Sequence, residues 1–525
     1  MRRGILAITT LVALRCGSTP AGNPDAGPPA CGVVQTSLGP VQSSDDDVAC
    51  SFLGIPYAAP PVGSLRWKPP QPAAAWTATR QPVVASACPQ LPFPLLGVTS
   101  NDEDCLYLDV YVPNPPPSGP APVMVFVHGG AFVIGAASSG LYDGAKLASA
   151  TGAIVVTIQY RLGPFGFLSD AELRAEDPAH PSAGDYGIED QIAALEWVKA
   201  NAASFGGDPT NVTIFGESAG GTSMLVHLAS PKSQGLFERA IVESAWTPYG
   251  GCAIPMATAD QQGDAFATAL GCTDSATRLA CLRGKSADDV LAALPLKAQG
   301  AIGTQGADWL PVVEGDVLPD EPLKLLAAGS FARVPVVIGN NTNEGSVFFD
   351  NNTTLVDDAS YLAEEETQYP GHGAAVVAQY PVAAFGGSYT AAAAEAFTDG
   401  SLVCGARKVA RALVAAGVPT YRYHFARVIS QTILPGAGAF HGSELLFVFG
   451  NALGFIQLAE ADAPLSQAMM GYWGSMATSG DPNGAGRTPW PTYDATHETQ
   501  LVLDLPEATE DAYKKAACDF WDSIY

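Results

Sequence analysis

A serine flanked by two glycines could act as a nucleophile in this chain. The stretch Gly216-Glu217-Ser218-Ala219-Gly220 has the pattern Gly-X-Ser-X-Gly, which is typical of a tight turn between a strand and a helix. Glycines at both ends of the pattern allow neighbouring backbone to approach closely. Ser218 would then project from the edge of a sheet. The pattern alone is weak, because five loosely specified positions recur by chance in loops rich in glycine and serine.

A serine hydroxyl becomes an effective nucleophile only when a base removes its proton. In folds that carry this turn the chain order is serine, acid, histidine, so the base should follow residue 218. His441 is the preferred candidate, because it lies in a glycine-rich loop after the apolar strand predicted at 421–425. His372 is the alternative, since it also lies beside glycine in a loop. The other histidines after the serine are in a helix, a strand and a late polar turn: His227, His424 and His497.

A carboxylate should orient the histidine from the end of another strand. Glu344 is the acidic residue of the loop that directly follows the apolar run 334–338. The alternative interpretation of Glu344 is an exposed carboxylate in a turn. Taken alone, the loop favours the exposed carboxylate, although its position and chain order are those that a triad of serine, acid and histidine requires.

The negative charge that develops on a substrate oxygen needs backbone N–H donors at two places. One donor should be Ala219, the residue after the nucleophile. The other donors should lie in the loop after the apolar run 123–127, which reads His128-Gly129-Gly130-Ala131. The small residues there, Gly130 and Ala131, let the backbone approach a substrate carbonyl.

The elements that must hold these loops follow a strand–helix alternation. Short continuous apolar runs predict buried strands at 123–127, 153–158, 212–215, 239–244, 334–339, 421–425 and 501–503. Helical patterns lie at 142–151, 185–202, 468–478 and 512–524. Such alternation predicts an α/β fold with a mostly parallel sheet covered by helices on both faces. We expect a small peripheral sheet in 31–70 and helical insertions in 250–330 that form the roof of the pocket.

Composition limits the classes of partner. The chain has 525 residues, of which 47% are apolar and 15% charged, so it can bury a large core and is not expected to be disordered. Its net charge of −26 disfavours binding to nucleic acid and to anionic membrane surfaces. A small-molecule substrate is the expected partner.

The N-terminus has the pattern of an export signal. Basic residues at 2–3 precede an apolar segment at 4–14 that is too short to span a bilayer. Cys16 follows, as in a lipoprotein signal, although Arg15 stands where that signal has a small residue. Plain secretion and a chain that is not exported are the alternatives. We therefore expect an export signal at 1–16, a flexible tether at 17–30 and a catalytic domain at 31–525.

The ten cysteines fit an oxidising compartment better than a metal site. None forms Cys-X-X-Cys, and no cluster of cysteine and histidine has zinc spacing. Cys88 with Cys105, and Cys272 with Cys281, flank short loops rich in turn residues. The structural alternative for any one cysteine is a small hydrophobic side chain buried in the core.

Taken together, the motifs resemble those of the type-B carboxylesterase/lipase family, which includes the cholinesterases. The resemblance extends over 31–525. It rests on ordered motifs such as Phe-Leu-Gly-Ile-Pro-Tyr-Ala at 52–58, Glu-Asp-Cys-Leu-Tyr-Leu at 103–108, His-Gly-Gly at 128–130, Tyr-Arg-Leu-Gly-Pro-Phe-Gly-Phe-Leu at 160–168, Phe-Gly-Gly-Asp-Pro at 205–209, Gly-Glu-Ser-Ala-Gly-Gly at 216–221, Asn-Glu-Gly at 343–345 and His-Gly-Ser-Glu-Leu at 441–445.

The resemblance implies an α/β-hydrolase fold and a serine esterase that needs no cofactor and no metal. The matching positions imply the nucleophile Ser218, the acid Glu344, the base His441 and the oxyanion donors Gly130, Ala131 and Ala219. It also implies the disulfides Cys88–Cys105 and Cys272–Cys281 and, as in some members, Cys404–Cys518. Cys31–Cys50 is then a guess from the cysteines left over, with Cys252 free.

Two departures from the family pattern narrow the expected substrate. Ala131 stands where the family usually has a third glycine, so the oxyanion loop should be slightly tighter. The loop between Cys88 and Cys105 is short and has no tryptophan, whereas cholinesterases use an aromatic there to bind a cation. We therefore expect hydrolysis of short-chain or aromatic esters. A lipase acting on long-chain acylglycerols and a non-catalytic binding protein are the alternatives.

Overall fold

The computed structural model describes residues 31–45, 48–93, 98–178, 182–248, 251–293, 309–349, 352–429 and 436–525. The predicted export signal, Cys16 and the tether lie outside the described residues.

Seventeen strands are described. In chain order they are β1 Val33–Gln35, β2 Pro40–Gln42, β3 Ser44–Asp45, β4 Ala49–Pro56, β5 Gln90–Phe93, β6 Val98–Ser100, β7 Tyr107–Pro113, β8 Ala121–Val127, β9 Ile154–Ile158, β10 Gly207–Glu217, β11 Arg239–Glu243, β12 Ile254–Pro255, β13 Val312–Val313, β14 Val336–Asn341, β15 Thr420–Phe425, β16 Gln500–Leu503 and β17 Ala508–Glu510.

The α-helices of the described residues are α1 Ala145–Thr151, α2 Gly163–Phe167, α3 Ala171–Glu176, α4 Tyr186–Asn201, α5 Ala219–Ala229, α6 Met256–Ala269, α7 Arg278–Arg283, α8 Ala287–Ala292, α9 Pro322–Ala327, α10 Ser346–Phe349, α11 Asp358–Gln368, α12 Gly373–Gln379, α13 Tyr389–Phe397, α14 Cys404–Ala415, α15 Leu445–Phe449, α16 Ala463–Ser479 and α17 Lys515–Ile524. A π-helical segment, Thr398–Val403, joins α13 to α14.

An 11-stranded sheet runs through the molecule in the order β17-β16-β15-β14-β11-β10-β8-β9-β7-β4-β3. The strands from β16 to β9 in this order are parallel, and the strands at both edges are antiparallel. The mostly parallel sheet expected from the apolar runs is confirmed.

Both faces of the sheet are covered, which explains why the central strands are continuously apolar. Alternate residues of β8 enter two different cores: Val123 and Val125 pack in one, Met124 and Phe126 in the other. Helices α4 and α5 contribute side chains to the first core, and α1, α15 and α16 contribute to the second.

The expectation of a separate peripheral sheet in 31–70 is only partly right. β1 and β2 do form their own two-stranded sheet. β4, however, pairs antiparallel with β7 and so belongs to the central sheet. The reason lies in burial, because most residues of β4 are buried on both faces, as Cys50, Phe52 and Ile55 are. A strand that is apolar on both faces is stable only within a covered sheet.

Disulfides join Cys31–Cys50, Cys88–Cys105, Cys272–Cys281 and Cys404–Cys518, and Cys252 is buried with a free thiol. The described ranges contain no helix that is long and apolar enough to cross a membrane.

Candidate active site

Ser218 lies at a sharp turn between β10, which ends at Glu217, and α5, which begins at Ala219. Its backbone angles are φ 59° and ψ −119°, a conformation that non-glycine residues adopt only under strain. The Ser218 N–H donates to the carbonyl of Glu243 at the end of β11, 2.9 Å away. A Cβ atom on Gly220 would overlap the carbonyl oxygen of Val127. The turn therefore requires glycine, as the sequence pattern indicated.

His441 contacts Glu344 directly. Nδ1 of His441 lies 2.6 Å from Oε2 of Glu344. The other carboxylate oxygen of Glu344 accepts the backbone N–H of Asn341 at 2.7 Å, and the side chain of Glu344 is fully buried. The two loops that carry these residues are joined by the Asn343 N–H, which donates to the carbonyl of Ala439 at 2.9 Å.

The second ring nitrogen of His441 faces Glu217 rather than a hydroxyl. Nε2 of His441 lies 3.2 Å from Oε1 of Glu217, and neither atom has a hydrogen-bond partner among the described residues. The side chain of His441 is 11% exposed. No hydrogen bond between Ser218 and His441 is present in this structure. Such bonds are often long in an enzyme without substrate and shorten in the reacting complex.

Three buried glutamates interact with this histidine, Glu217, Glu344 and Glu444, and a fourth buried glutamate, Glu243, interacts with Glu217. Burial raises the pKa of Glu217 to about 7, although His441 opposes this shift. Burial also raises the pKa of Glu243 to about 8 and that of Glu444 well above its ordinary value. Because ionised carboxylates are costly in a dry interior, these groups titrate far above the range of a solvated acid.

Burial has the opposite effect on the pKa of the histidine. Burial lowers the pKa of His441, but the carboxylates of Glu217 and Glu344 more than offset this effect and raise it to about 9. An imidazole with nearby anions retains its proton more strongly. The site therefore stabilises the imidazolium form, which is the form that a general base adopts after it takes a proton.

The loop after β8 has an unusual backbone. Gly130, Ala131 and Phe132 all have positive φ, at 110°, 53° and 60°. The N–H groups of Val133 and Ile134 both donate to the Gly130 carbonyl at 3.0 Å. For the N–H groups of Gly130 and Ala131, the described residues provide no hydrogen-bond acceptor. Ala131 adopts a conformation that favours glycine, so the alanine at this position is strained by about 1 kcal/mol.

This loop lies against the serine turn. A Cβ atom on Gly129 would be 2.9 Å from Cβ of Ser218 and 2.8 Å from the Glu217 carbonyl oxygen. Unpaired N–H groups therefore lie close to the nucleophile on one side, and the N-terminus of α5 lies at Ala219 on the other. This arrangement can stabilise an anion that forms on an atom bonded to Ser218.

The remaining histidines have other partners. Nδ1 of His424 contacts Glu510 and its Nε2 contacts Thr342, both at 2.7 Å. His227 contacts Ser233 and Gln191. The His372 ring packs against Tyr525, and His497 is exposed beside Asp494. Of the histidines after residue 218, only His441 contacts Glu344 within the described chain.

Sequence reasoning missed several groups of the site. The proximity of Glu217 to Nε2 of His441 depends on contacts between distant loops. Phe348 was not singled out either, yet its ring lies 5.1 Å from the His441 ring and 5.2 Å from that of Phe397. Phe348 lies on α10, which begins two residues after Glu344, so its closeness to Glu344 in the chain was the available signal.

Known proteins resemble this chain in sequence and in fold. A family model described as the carboxylesterase family matches residues 30–521. A cocaine esterase of Oryctolagus cuniculus is 36% identical over 524 residues, covering 93% of this chain and 94% of its own. A para-nitrobenzyl esterase of Bacillus subtilis (strain 168) is 36% identical, covering 90% of this chain and 94% of its own. The solved structure of a thermophilic PNB esterase aligns with a TM-score of 0.82 at 34% identity, covering 93% of this chain and 99% of that one.

Proposed function

This chain belongs to the carboxylesterase family and is a carboxylic-ester hydrolase with an α/β-hydrolase fold, and from that premise we propose that Ser218 is its nucleophile, His441 its base and Glu344 the acid that orients the base. The observation that carries the proposal is the 2.6 Å contact between Glu344 and Nδ1 of His441. The strained backbone of Ser218 supports it, because such strain concentrates at functional sites.

The reaction is a two-step acyl transfer. Oγ of Ser218 attacks the ester carbonyl carbon while Nε2 of His441 takes the hydroxyl proton. Glu344 holds Nδ1 and stabilises the imidazolium. The imidazolium then protonates the departing alkoxide, and an acyl-serine remains. Water attacks this acyl group by the same route, with His441 again as base, and the carboxylic acid leaves while Ser218 regains its proton.

The N–H groups of Gly130, Ala131 and Ala219 stabilise the oxyanion of both tetrahedral intermediates. Support comes from the Gly130 and Ala131 donors, which lack acceptors among the described residues, and from the close approach of Gly129 to Ser218. Loss of one such donor typically lowers the rate about 10²–10³-fold.

Replacement of the nucleophile tests the assignment. Ser218→Ala should abolish hydrolysis of p-nitrophenyl butyrate while leaving the melting temperature nearly unchanged. Ser466→Ala is a matched control, because Ser466 is buried on α16 and donates to the Phe447 carbonyl. It should retain full activity. Activity of Ser218→Ala within tenfold of the unchanged enzyme would refute the proposal.

Three features indicate the class of ester substrate. Phe348 packs against His441, the loop closed by Cys88–Cys105 is short, and a relative is a para-nitrobenzyl esterase. These features favour short-chain or aromatic esters over long acyl chains. In a series of p-nitrophenyl esters, kcat/KM should be highest at two to six carbons and fall beyond eight. A rate that rises through C12 to C16 would show a lipase instead.

The four disulfides indicate an extracellular or other oxidising environment. We extend this to export through the N-terminal signal, with Cys16 as the position for a lipid anchor. Mass spectrometry of the mature protein tests both steps. A lipid-modified Cys16 supports the anchor, an unmodified start downstream of the signal supports plain secretion, and an intact Met1 would contradict export.

A further inference from the structure

His128 is a fully buried histidine directly behind the proposed oxyanion loop, and the acyl-transfer steps do not use it. It follows the last residue of β8 and has no exposed surface. Its ring stacks on that of Tyr160, with centroids 4.5 Å apart and planes inclined by 26°. The Tyr160 hydroxyl donates to the His128 carbonyl at 2.9 Å. Both the side chain and the backbone of His128 are therefore held by Tyr160.

The ring has one defined tautomer. Nδ1 of His128 lies 2.8 Å from the carbonyl oxygen of Gly129. Because a carbonyl oxygen only accepts hydrogen bonds, Nδ1 carries the proton. Nε2 then has none, and it has no hydrogen-bond partner in the described part of the chain. Burial lowers the pKa of His128 to about 4, more than its bond to Gly129 raises it. The ring is therefore neutral at neutral pH.

This bond fixes the direction of a peptide plane. The carbonyl of Gly129 and the N–H of Gly130 belong to one trans peptide, so they point in opposite directions. A carbonyl held against the ring directs the Gly130 N–H away from it. The same peptide lies beside the nucleophile, because a Cβ on Gly129 would be 2.9 Å from Cβ of Ser218. Glycine on both sides of this peptide would otherwise let it rotate at little cost.

We propose that His128 is a positioning residue for the oxyanion site. Its Nδ1–H holds the peptide between Gly129 and Gly130 in the orientation that directs the Gly130 N–H toward the oxyanion. This inference rests on the proposed function, since that function gives the Gly130 N–H its role. A rotated peptide would place the Gly129 carbonyl in the oxyanion site, and its negative end would repel the developing charge.

Gly135 packs closely against the ring of His128. A Cβ on Gly135 would overlap Nδ1 of His128 and would lie 2.5 Å from the Gly129 carbonyl oxygen. The side chain of Gln90 holds Gly135 from both sides: its Oε1 accepts the Gly135 N–H at 2.9 Å, and its Nε2 donates to the Gly135 carbonyl at 2.8 Å. Gln90 follows Cys88, which the disulfide to Cys105 anchors. The disulfide loop thus supports the oxyanion loop through Gln90, Gly135 and His128.

The test compares two side chains of equal size at position 128. His128→Asn retains an N–H donor at the same number of bonds from Cβ, whereas His128→Leu has none. Both lose the stacked ring, so any general loss of packing is common to them. Per folded molecule, His128→Leu should lower kcat about 10²-fold with KM within threefold, in line with the loss of one oxyanion donor. The kcat of His128→Asn should be at least tenfold higher than that of His128→Leu.

A transition-state analogue gives a second readout. A trifluoromethyl ketone forms an oxyanion on the serine, so its affinity should fall in His128→Leu by the same factor as kcat and recover in His128→Asn. If the smaller side chains do not fold, His128→Phe keeps the ring and removes the donor, and it should show the same loss. His227→Phe is the control, because His227 is also buried but contacts Ser233 and Gln191. It should keep its kcat.

Equal kcat values for His128→Asn and His128→Leu would overturn the inference, as would an unchanged kcat in His128→Phe. A failure of the proposed function is distinguishable from both, because it would leave Ser218→Ala active whatever the residue at position 128.

Discussion

The carboxyl groups around His441 and the carboxyl group of Glu498 are both buried, yet their surroundings have opposite electrostatic character. Beside His441, the buried side chains of Glu217, Glu344 and Glu444 interact with a single imidazole. Burial raises the pKa of Glu217 to about 7 and that of Glu243 to about 8. The carboxyl groups of Glu217 and Glu243 therefore keep a proton at a pH where a solvated carboxyl group has lost it.

Glu498, near the C-terminal helix, is paired with arginines. It accepts a bond from Nε of Arg407 at 2.8 Å and further bonds from Arg411. Burial raises the pKa of Glu498, but the bonds from the two arginines lower it by more, and the net shift is downward. Arg407, which is 1% exposed, also binds Asp519 and Asp522 on α17. These ion pairs join α14 to α17.

This electrostatic difference distinguishes buried charges that stabilise the fold from buried groups that take part in the reaction. A buried charge with matched partners stays ionised at all moderate pH values and acts as a structural tie. A group without such partners titrates near neutral pH, where a reaction can use its proton. This comparison predicts that substitutions near His441 change rates, pH profiles and the pH dependence of stability, whereas substitutions near Glu498 change stability alone.

The largest expected effect is the loss of the acid that orients the base. Glu344→Gln should lower kcat/KM for p-nitrophenyl butyrate by about 10³–10⁴-fold, because the imidazolium loses its anion and the preferred tautomer is lost. Glu444→Gln is the matched control, since Glu444 is buried nearby and is bonded to Asn341. It should lose far less activity. Equal losses in the two variants would mean that Glu344 is not the acid.

The next effect should appear in stability alone. Arg407→Leu leaves the buried carboxylate of Glu498 without one of its two arginine partners. It should lower the free energy of unfolding, measured by urea denaturation, by about 3 kcal/mol. Its kcat/KM should stay within twofold. Lys324→Ala removes an exposed ion pair with Asp320 and should cost less than about 1 kcal/mol. A loss of activity in folded Arg407→Leu would break the distinction between the two regions.

Glu243 gives a pH-dependent effect on stability. Its pKa is about 8 in the folded protein, against an ordinary value of 4.5, so the folded state keeps a proton that the unfolded state releases. Stability of the unchanged enzyme should therefore fall as pH rises from about 4.5 to about 8. Glu243→Gln retains an acceptor for the Trp473 indole N–H and cannot ionise.

Relative to that of the unchanged enzyme, the free energy of unfolding of Glu243→Gln should rise by at least about 2 kcal/mol between pH 5 and pH 8. Thermal unfolding at several pH values measures this. A constant difference across the range would mean that Glu243 is ionised in the folded state.

The smallest effect is a displacement of the pH–rate profile. Ionised Glu217 raises the pKa of His441, and the base must be unprotonated to accept the serine proton. Activity should therefore fall as pH drops through this raised pKa. Glu217→Gln removes one anion, lowers the pKa of His441 and should move the acid limb of kcat/KM to lower pH by about one unit. A limb that stays in place or moves to higher pH would show that Glu217 does not act on the base.

The prediction from sequence was strongest where one local pattern sufficed. Continuous apolar runs identified the central strands, because a strand buried on both faces has few alternatives. Ser218 stood out because its turn requires nearby glycines. Glu344 and His441 followed from chain order, and the structure brings them into contact.

The features that the sequence did not predict depend on contacts between distant segments. The sequence predicts a peripheral sheet in 31–70, the range that includes β4, because short alternating segments do not reveal their pairing partner. The contact of Glu217 with Nε2 of His441 joins the end of β10 to a loop more than 200 residues later in the chain, and only the folded backbone determines it. His128 was visible in the His-Gly-Gly motif, but its bond to Gly129 depends on the positive-φ backbone that follows.

Covalent labelling measures the central claim most directly. The enzyme is treated with a fluorophosphonate ester, and the adduct is located by peptide mass spectrometry. The account predicts one phosphonyl group per molecule, on the peptide that contains Ser218, with complete loss of activity and no labelling of Ser218→Ala. An adduct on another residue, or an enzyme that remains active after Ser218 is fully labelled, would contradict it.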